Sequence, residues 1–110
     1  MIQATLRIVA PRRKRDEILR AFRLFAGPTR VERGCIRCHL YVDAEEEHAI
    51  SYVEQWETED DLVRHLRSDR YRNLVALIDV SIEPPEVRFE TISRSVGLEY
   101  LAAVWGISQY

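Results

Sequence analysis

The chain is predicted to be α+β, a ferredoxin-like β-α-β-β-α-β unit built on an antiparallel four-stranded sheet. Two observations carry that expectation. Four segments alternate apolar and polar residues with the period of a half-buried strand, and they are interrupted by stretches whose apolar residues recur at helical spacing. Strand and helix patterns follow one another in the order of the split β-α-β motif, with no repeat, low-complexity segment or internal linker between them.

Taken in order, Ile2, Ala4, Leu6 and Ile8 alternate with Gln3, Thr5 and Arg7, which is a strand closed by Pro11. Proline suits the start of the helix that follows, where Ile18, Phe22 and Phe25 share a face and Asp16 and Glu17 lie in the early turns. Gly27-Pro28 is expected to break or kink this helix, and Gly34 to mark its delayed exit. Cys35–Asp43 is the second strand, with Ile36, Cys38, Leu40 and Val42 on one face, and the acidic run Asp43–Glu47 is a solvated hairpin turn. His48–Glu57 is the third strand. Thr58 with Asp61 resembles a capping box and opens a short helix carrying Leu62 and Leu66. Ser68-Asp69 caps a further helix with a stripe of Tyr71, Leu74, Val75 and Ile78. Pro84-Pro85 ends that region, and Glu86–Ile92 is the fourth strand. Residues 1–94 make one domain, and 95–110 form an extension in which Leu98, Leu101, Ala102 and Trp105 are spaced for a short helix. Such a helix is expected to dock on its own domain or a partner, because large exposed hydrophobes are a liability.

At 110 residues, with 46% hydrophobic and 31% charged residues, the chain has the composition of a single globular domain. A net charge of −2 offers no basic field for a phosphate backbone, so nucleic acid is excluded as a partner. No run approaches the ~18 apolar residues of a membrane span, and Arg7 interrupts any signal-peptide core. A cytoplasmic location with both cysteines reduced is the expectation. Fifteen arginines against one lysine read as compositional bias, and Arg12-Arg13-Lys14-Arg15 as a solvated helix start with no role.

Cys35-Ile36-Arg37-Cys38-His39 matches the pattern for covalent c-type haem attachment. On a regular strand, however, the two cysteines lie ~10 Å apart on opposite faces, too far for a disulfide. Zinc would need two further ligands from His39, His48 or His65, which show no paired spacing. No metal or cofactor is therefore expected; Cys38 is read as a core residue and Cys35 as lining the other sheet face.

The run Tyr52-Val53-Glu54-Gln55-Trp56-Glu57 and the helix carrying His65-Leu66 gather more chemically useful groups than any other part of the chain. Ile50, Tyr52, Glu54 and Trp56 share one strand face, which the helices must cover, and His65 borders the apolar stripe of its helix. Glu54 is the odd member, because a carboxylate in an apolar layer is costly unless paired; His65 or an arginine would relieve that cost and raise the imidazole pKa. Tyr52, Glu54, Trp56 and His65 are thus the candidate site residues, expected to line a hollow between sheet and helices. Ordinary core packing competes with that reading, since aromatic residues facing a helix usually just fill space.

Gly34-Cys35, Glu54-Gln55-Trp56-Glu57 and His65-Leu66 with Ser68, in this order and separation, resemble the antibiotic biosynthesis monooxygenase family. The resemblance spans residues 1–92 and implies a homodimer, a dimeric α/β barrel in which two four-stranded sheets pack face to face. In the enzymatic branch it implies oxidation of a small quinol or phenolic compound by O₂ without flavin or metal. Trp56 would then flank the substrate ring, His65 would be the base, and Tyr52 or Glu54 would hold the hydroxyl. Quinone-forming members carry an Asn where this chain has Tyr52. Haem-degrading members carry a Trp in place of His65 and a His in place of Val75, so that branch is disfavoured. Gln3, Thr5, Arg7, Arg37, His39, Ser51 and Gln55 make the opposite sheet face polar for an obligate interface, offset only partly by Tyr41 and Val53. The alternative functions are a non-catalytic dimeric module binding an apolar ligand or a protein, and an isomerase using His65 or Glu54 for proton transfer.

Overall fold

The structure is a computed structural model that describes residues 1–107; the end of the predicted extension, 108–110, lies outside the described residues. Strands β1 (Ile2–Val9), β2 (Cys35–Val42), β3 (Ala49–Trp56) and β4 (Glu86–Thr91) form one sheet in the order β2-β3-β1-β4, with every neighbouring pair antiparallel. Helix α1 (Arg15–Arg30) crosses from β1 to β2, and α2 (Glu59–Leu66), α3 (Asp69–Val75) and a 3₁₀ turn at Ala76–Val80 return the chain to β4. This is the ferredoxin-like α+β fold that the periodicity predicts. A final helix, α4 (Leu98–Trp105), follows it.

One face of the sheet makes the core. Leu6, Ile8, Ile50 and Tyr52 meet Ile18 and Phe22 of α1 and Leu74 of α3, all buried, and Phe22 stacks on Tyr52 with ring centroids 5.6 Å apart. A second, smaller cluster joins Ala4 and Trp56 to Leu62 of α2. Truncating a fully buried aromatic such as Phe22 costs about 3–5 kcal/mol, a large part of the stability of a domain this size. The caps form as the sequence implies: the Thr58 hydroxyl accepts from the Asp61 amide at 3.1 Å, and the Ser68 hydroxyl from the Tyr71 amide at 3.2 Å.

Two expectations need correction. Helix α1 runs through Gly27-Pro28 to Arg30. Pro28 falls in the last turn, where it removes only the bond to the Leu24 carbonyl, and the Val31 amide closes the helix onto Pro28 and Thr29. The second correction concerns β2. A bulge between Cys35 and Arg37 makes Cys35 pair with Trp56 and Cys38 with Glu54, two positions on one face of β3. Cys35 therefore lies on the same side as Cys38 and packs against both core clusters, while Ile36 is pushed outward. Both thiols are free, and burial raises their pKa values to about 11 for Cys35 and about 12 for Cys38, so neither is a ready thiolate. Helix α4 forms as the spacing predicts but packs little against its own core: Ala102 is buried, whereas Leu98 and Trp105 are 61% and 60% exposed.

Gly34 sets the approach of α1 to β2. It adopts φ +87°, and a Cβ there would collide with the Asp61 side chain that reinforces the α2 cap. Gly34→Ala is expected to cost at least about 1–2 kcal/mol from the left-handed backbone alone. Urea unfolding checks it: an unchanged midpoint contradicts this account of the turn.

Candidate functional site

Trp56 ends β3 and Glu54 lies two residues earlier, so both side chains point to the helix-covered face. Helix α2 is fixed at its start by Thr58, two residues past Trp56, and its second turn lays His65 over that strand end. The indole Nε1 donates to Glu54 Oε1 at 3.1 Å, and His65 Nε2 meets Glu54 Oε2 at 2.8 Å. The imidazole also lies on the indole, with centroids 4.6 Å apart and planes inclined by 33°, and Tyr71 of α3 meets it edge-on at 5.2 Å. Glu54, Trp56 and His65 are therefore brought together as the sequence suggests. Glu54 is 1% and His65 3% exposed.

A fourth member was not foreseen. Glu32, in the turn between α1 and β2, places Oε2 2.6 Å from His65 Nδ1. The contact is short but too poorly aligned for a hydrogen bond, so it acts as an ion pair and leaves both atoms without a well-formed hydrogen bond. Glu32 is 27% exposed and also faces Arg70, whose Nη1 is 3.8 Å from Oε1. Charges thus alternate inward from the surface, from Arg70 through Glu32 and His65 to Glu54, and end on the indole N–H.

This arrangement decides the state of the imidazole. Burial pushes its pKa down, but the hydrogen bond and charge of Glu54 and the charge of Glu32 outweigh it, and the net shift is upward. An imidazole flanked by two carboxylates is favoured in its cationic form, with Nε2 hydrogen-bonded to Glu54 and Nδ1 facing the charge of Glu32. Burial, and then the Glu54 charge, raise the Tyr71 phenol to about 12, which keeps it neutral.

Tyr52 stands apart from this cluster. Its hydroxyl donates to Thr29 Oγ1 at 3.3 Å and its ring packs on Phe22, while burial raises its pKa. The expected hollow is also missing. The described residues enclose no cavity, and indole, carboxylate and imidazole fill the layer between sheet and helices. The reason is the direct carboxylate–imidazole pairing: it draws α2 onto β3 and closes the space a ligand would need. No group of side chains among the described residues is arranged to hold a metal ion, and no described helix is long and apolar enough to cross a membrane.

The chain belongs to the antibiotic biosynthesis monooxygenase family, whose profile matches residues 1–77. Solved structures repeat the fold. A conserved protein from Methanosarcina mazei Go1 is 22% identical with TM-score 0.73, the match covering 81% of this chain and 89% of that one. A protein named as an antibiotic biosynthesis monooxygenase is 21% identical with TM-score 0.74 over 86% and 100% of the two chains. One from Mycobacterium tuberculosis is 21% identical with TM-score 0.77 over 87% and 98%. At these identities the likeness is one of fold. No curated protein matches the chain.

The raised native pKa of His65 has a consequence for stability. The free imidazole titrates near ~6.5, so the contribution of the cluster is complete below that pH and is lost as pH rises through the higher native value. His65→Gln leaves Glu54 buried without its cation, and is expected to cost about 3–5 kcal/mol and to remove this pH dependence. Urea unfolding between pH 5.5 and 9 measures both; equal slopes in the two proteins contradict the assignment.

Proposed function

We propose that this chain is a cofactor-independent monooxygenase that oxidises a small quinol or phenolic compound with O₂, working as a homodimer whose sheets face each other. The observation that carries this reading is the row Glu32–His65–Glu54 against Trp56. Two carboxylates and an imidazole repay their desolvation poorly in a core, and such perturbed groups concentrate at functional sites. Membership of the family supports the reaction class.

The chemistry follows from the charges. The substrate itself supplies all four electrons that reduce O₂. A phenol in its keto form, R₂CH₂, loses a proton, and the carbanion passes one electron to O₂. The radical and superoxide combine into a hydroperoxide, and loss of water leaves R₂C=O. Sum and balance are R₂CH₂ + O₂ → R₂C=O + H₂O. Because His65 is held as a cation, the first proton goes to a carboxylate; Glu32, at the solvent end of the row, is placed to take it. The imidazolium stabilises charge developing on the reduced oxygen and returns a proton to the peroxide. Trp56 offers its ring as a stacking wall, Glu54 positions the imidazole, and Tyr52 braces the strand behind them. Room for substrate comes from displacement of α3, whose seven residues are too few to be stable without their packing.

The filled interior favours a second reading, a non-catalytic dimeric module in which the same cluster fastens α2 to the sheet. Oxygen uptake with a panel of quinols and polycyclic phenols separates the two. The first reading predicts turnover that falls by about 10²-fold or more in His65→Ala, with Trp56→Phe also impaired. Ligand-induced thermal stabilisation with no oxygen consumed by any compound overturns it in favour of the second.

A further inference from the structure

We propose that α4 is exchanged between two copies of this chain, each seating its apolar helix on the bare β4 end of the other's sheet. Helix α4 is written into the sequence at both ends. The Gly97 amide donates to Glu99 Oε1 at 2.9 Å, and Gly106, at φ +70°, lets the Ile107 amide reach the Ala102 carbonyl at 2.8 Å. Yet eight residues are too few for a helix to persist in water unaided. Its sequence, Leu-Glu-Tyr-Leu-Ala-Ala-Val-Trp, is apolar on nearly every side and carries a single charge, Glu99. A helix apolar all round is made to be enclosed.

The surface that lacks a cover is on β4. Val87 and Phe89 pair with Leu6 and Ala4 of β1, so they lie on the core side of the sheet, but α1, α2 and α3 stop short of them. They are 43% and 48% exposed. Each chain therefore has one helix without a seat and one seat without a helix. After Thr91 the Ile92 amide donates to the Met1 carbonyl, and residues 92–97, in neither helix nor strand, separate β4 from α4. The molecule is drawn out to 51 Å with a radius of gyration of 16.4 Å, against about 13 Å for a compact chain of this length.

A second copy is the occupant that these features fit. It supplies the matching surface in equal number, and a reciprocal exchange closes on itself with two-fold symmetry. Leu98, Tyr100, Val104, Trp105, Val87 and Phe89 together expose on the order of 600 Å² of apolar surface, a large part of the ~800 Å² each partner gives to a standard interface. A membrane surface fits less well, because α4 has no basic face.

Sedimentation of the full chain over a range of concentrations tests the exchange, using Trp105→Asp and Phe89→Asp, two exposed positions at which folding is checked by circular dichroism. Each variant is expected to weaken dimerisation by about tenfold or more. A mixture of the two is expected to associate more tightly than either alone, because one helix–sheet contact is then intact. Dimerisation indifferent to both substitutions overturns the exchange while leaving a dimer through the sheet faces standing. A compact monomer with Trp105 shielded at every concentration, or binding of the wild-type chain to anionic phospholipid vesicles that Trp105→Asp abolishes, overturns it as well.

Discussion

The Glu54 carboxylate is the constraint on which the packing of α2 against the sheet depends. It is a charge in the middle of an apolar layer, and each of its oxygens is taken, one by the indole N–H of Trp56 and the other by His65. Without those partners it would have to be neutralised or expelled to solvent. With them, it fixes the rotamer of the largest aromatic ring in the core and binds helix α2 to strand β3. Hydrophobic contact in that second cluster is modest, since Ala4, Trp56 and Leu62 are its only fully buried members. The polar row therefore specifies how α2 sits, where apolar packing alone would leave its angle and register loosely set.

The same pairing links architecture to chemistry. An imidazole gripped from both sides serves poorly as a base and well as a fixed positive charge, and it lies against an indole face. In a dry layer such a charge acts over short distances with little screening. The closed arrangement leaves no free volume among the described residues, so the proposed reaction requires a shift of α3.

Much of this was legible in the sequence. Strand alternation and helical stripes set the element order, and the anomalous Glu54 between Tyr52 and Trp56 marks the polar core. Glu32 was not legible, because it lies in an irregular turn that has no periodicity of its own. Its position follows from the register: once Cys35 is set opposite Trp56, the residues just before Cys35 must lie beside the end of β3, where α2 begins. The bulge at Ile36 escaped notice for a related reason. Alternation assumes two residues per repeat, and a single inserted residue moves Cys35 to the other face without altering composition. The hollow was expected because aromatic and polar groups on one face resemble a pocket lining. Side-chain volume and direct ion pairing, which residue patterns do not report, decided otherwise. The exposed state of α4 was likewise hidden, since its stripe says that it needs a partner and not where the partner is.

The central claim is that two carboxylates hold His65 as a buried cation. Nitrogen NMR of the His65 ring across a pH titration reads that state directly. The account predicts an imidazolium protonated on both nitrogens at pH 7, titrating above the ordinary ~6.5 and moving back toward it in Glu54→Gln. A ring that is neutral at pH 7, or one whose titration ignores Glu54→Gln, would contradict it.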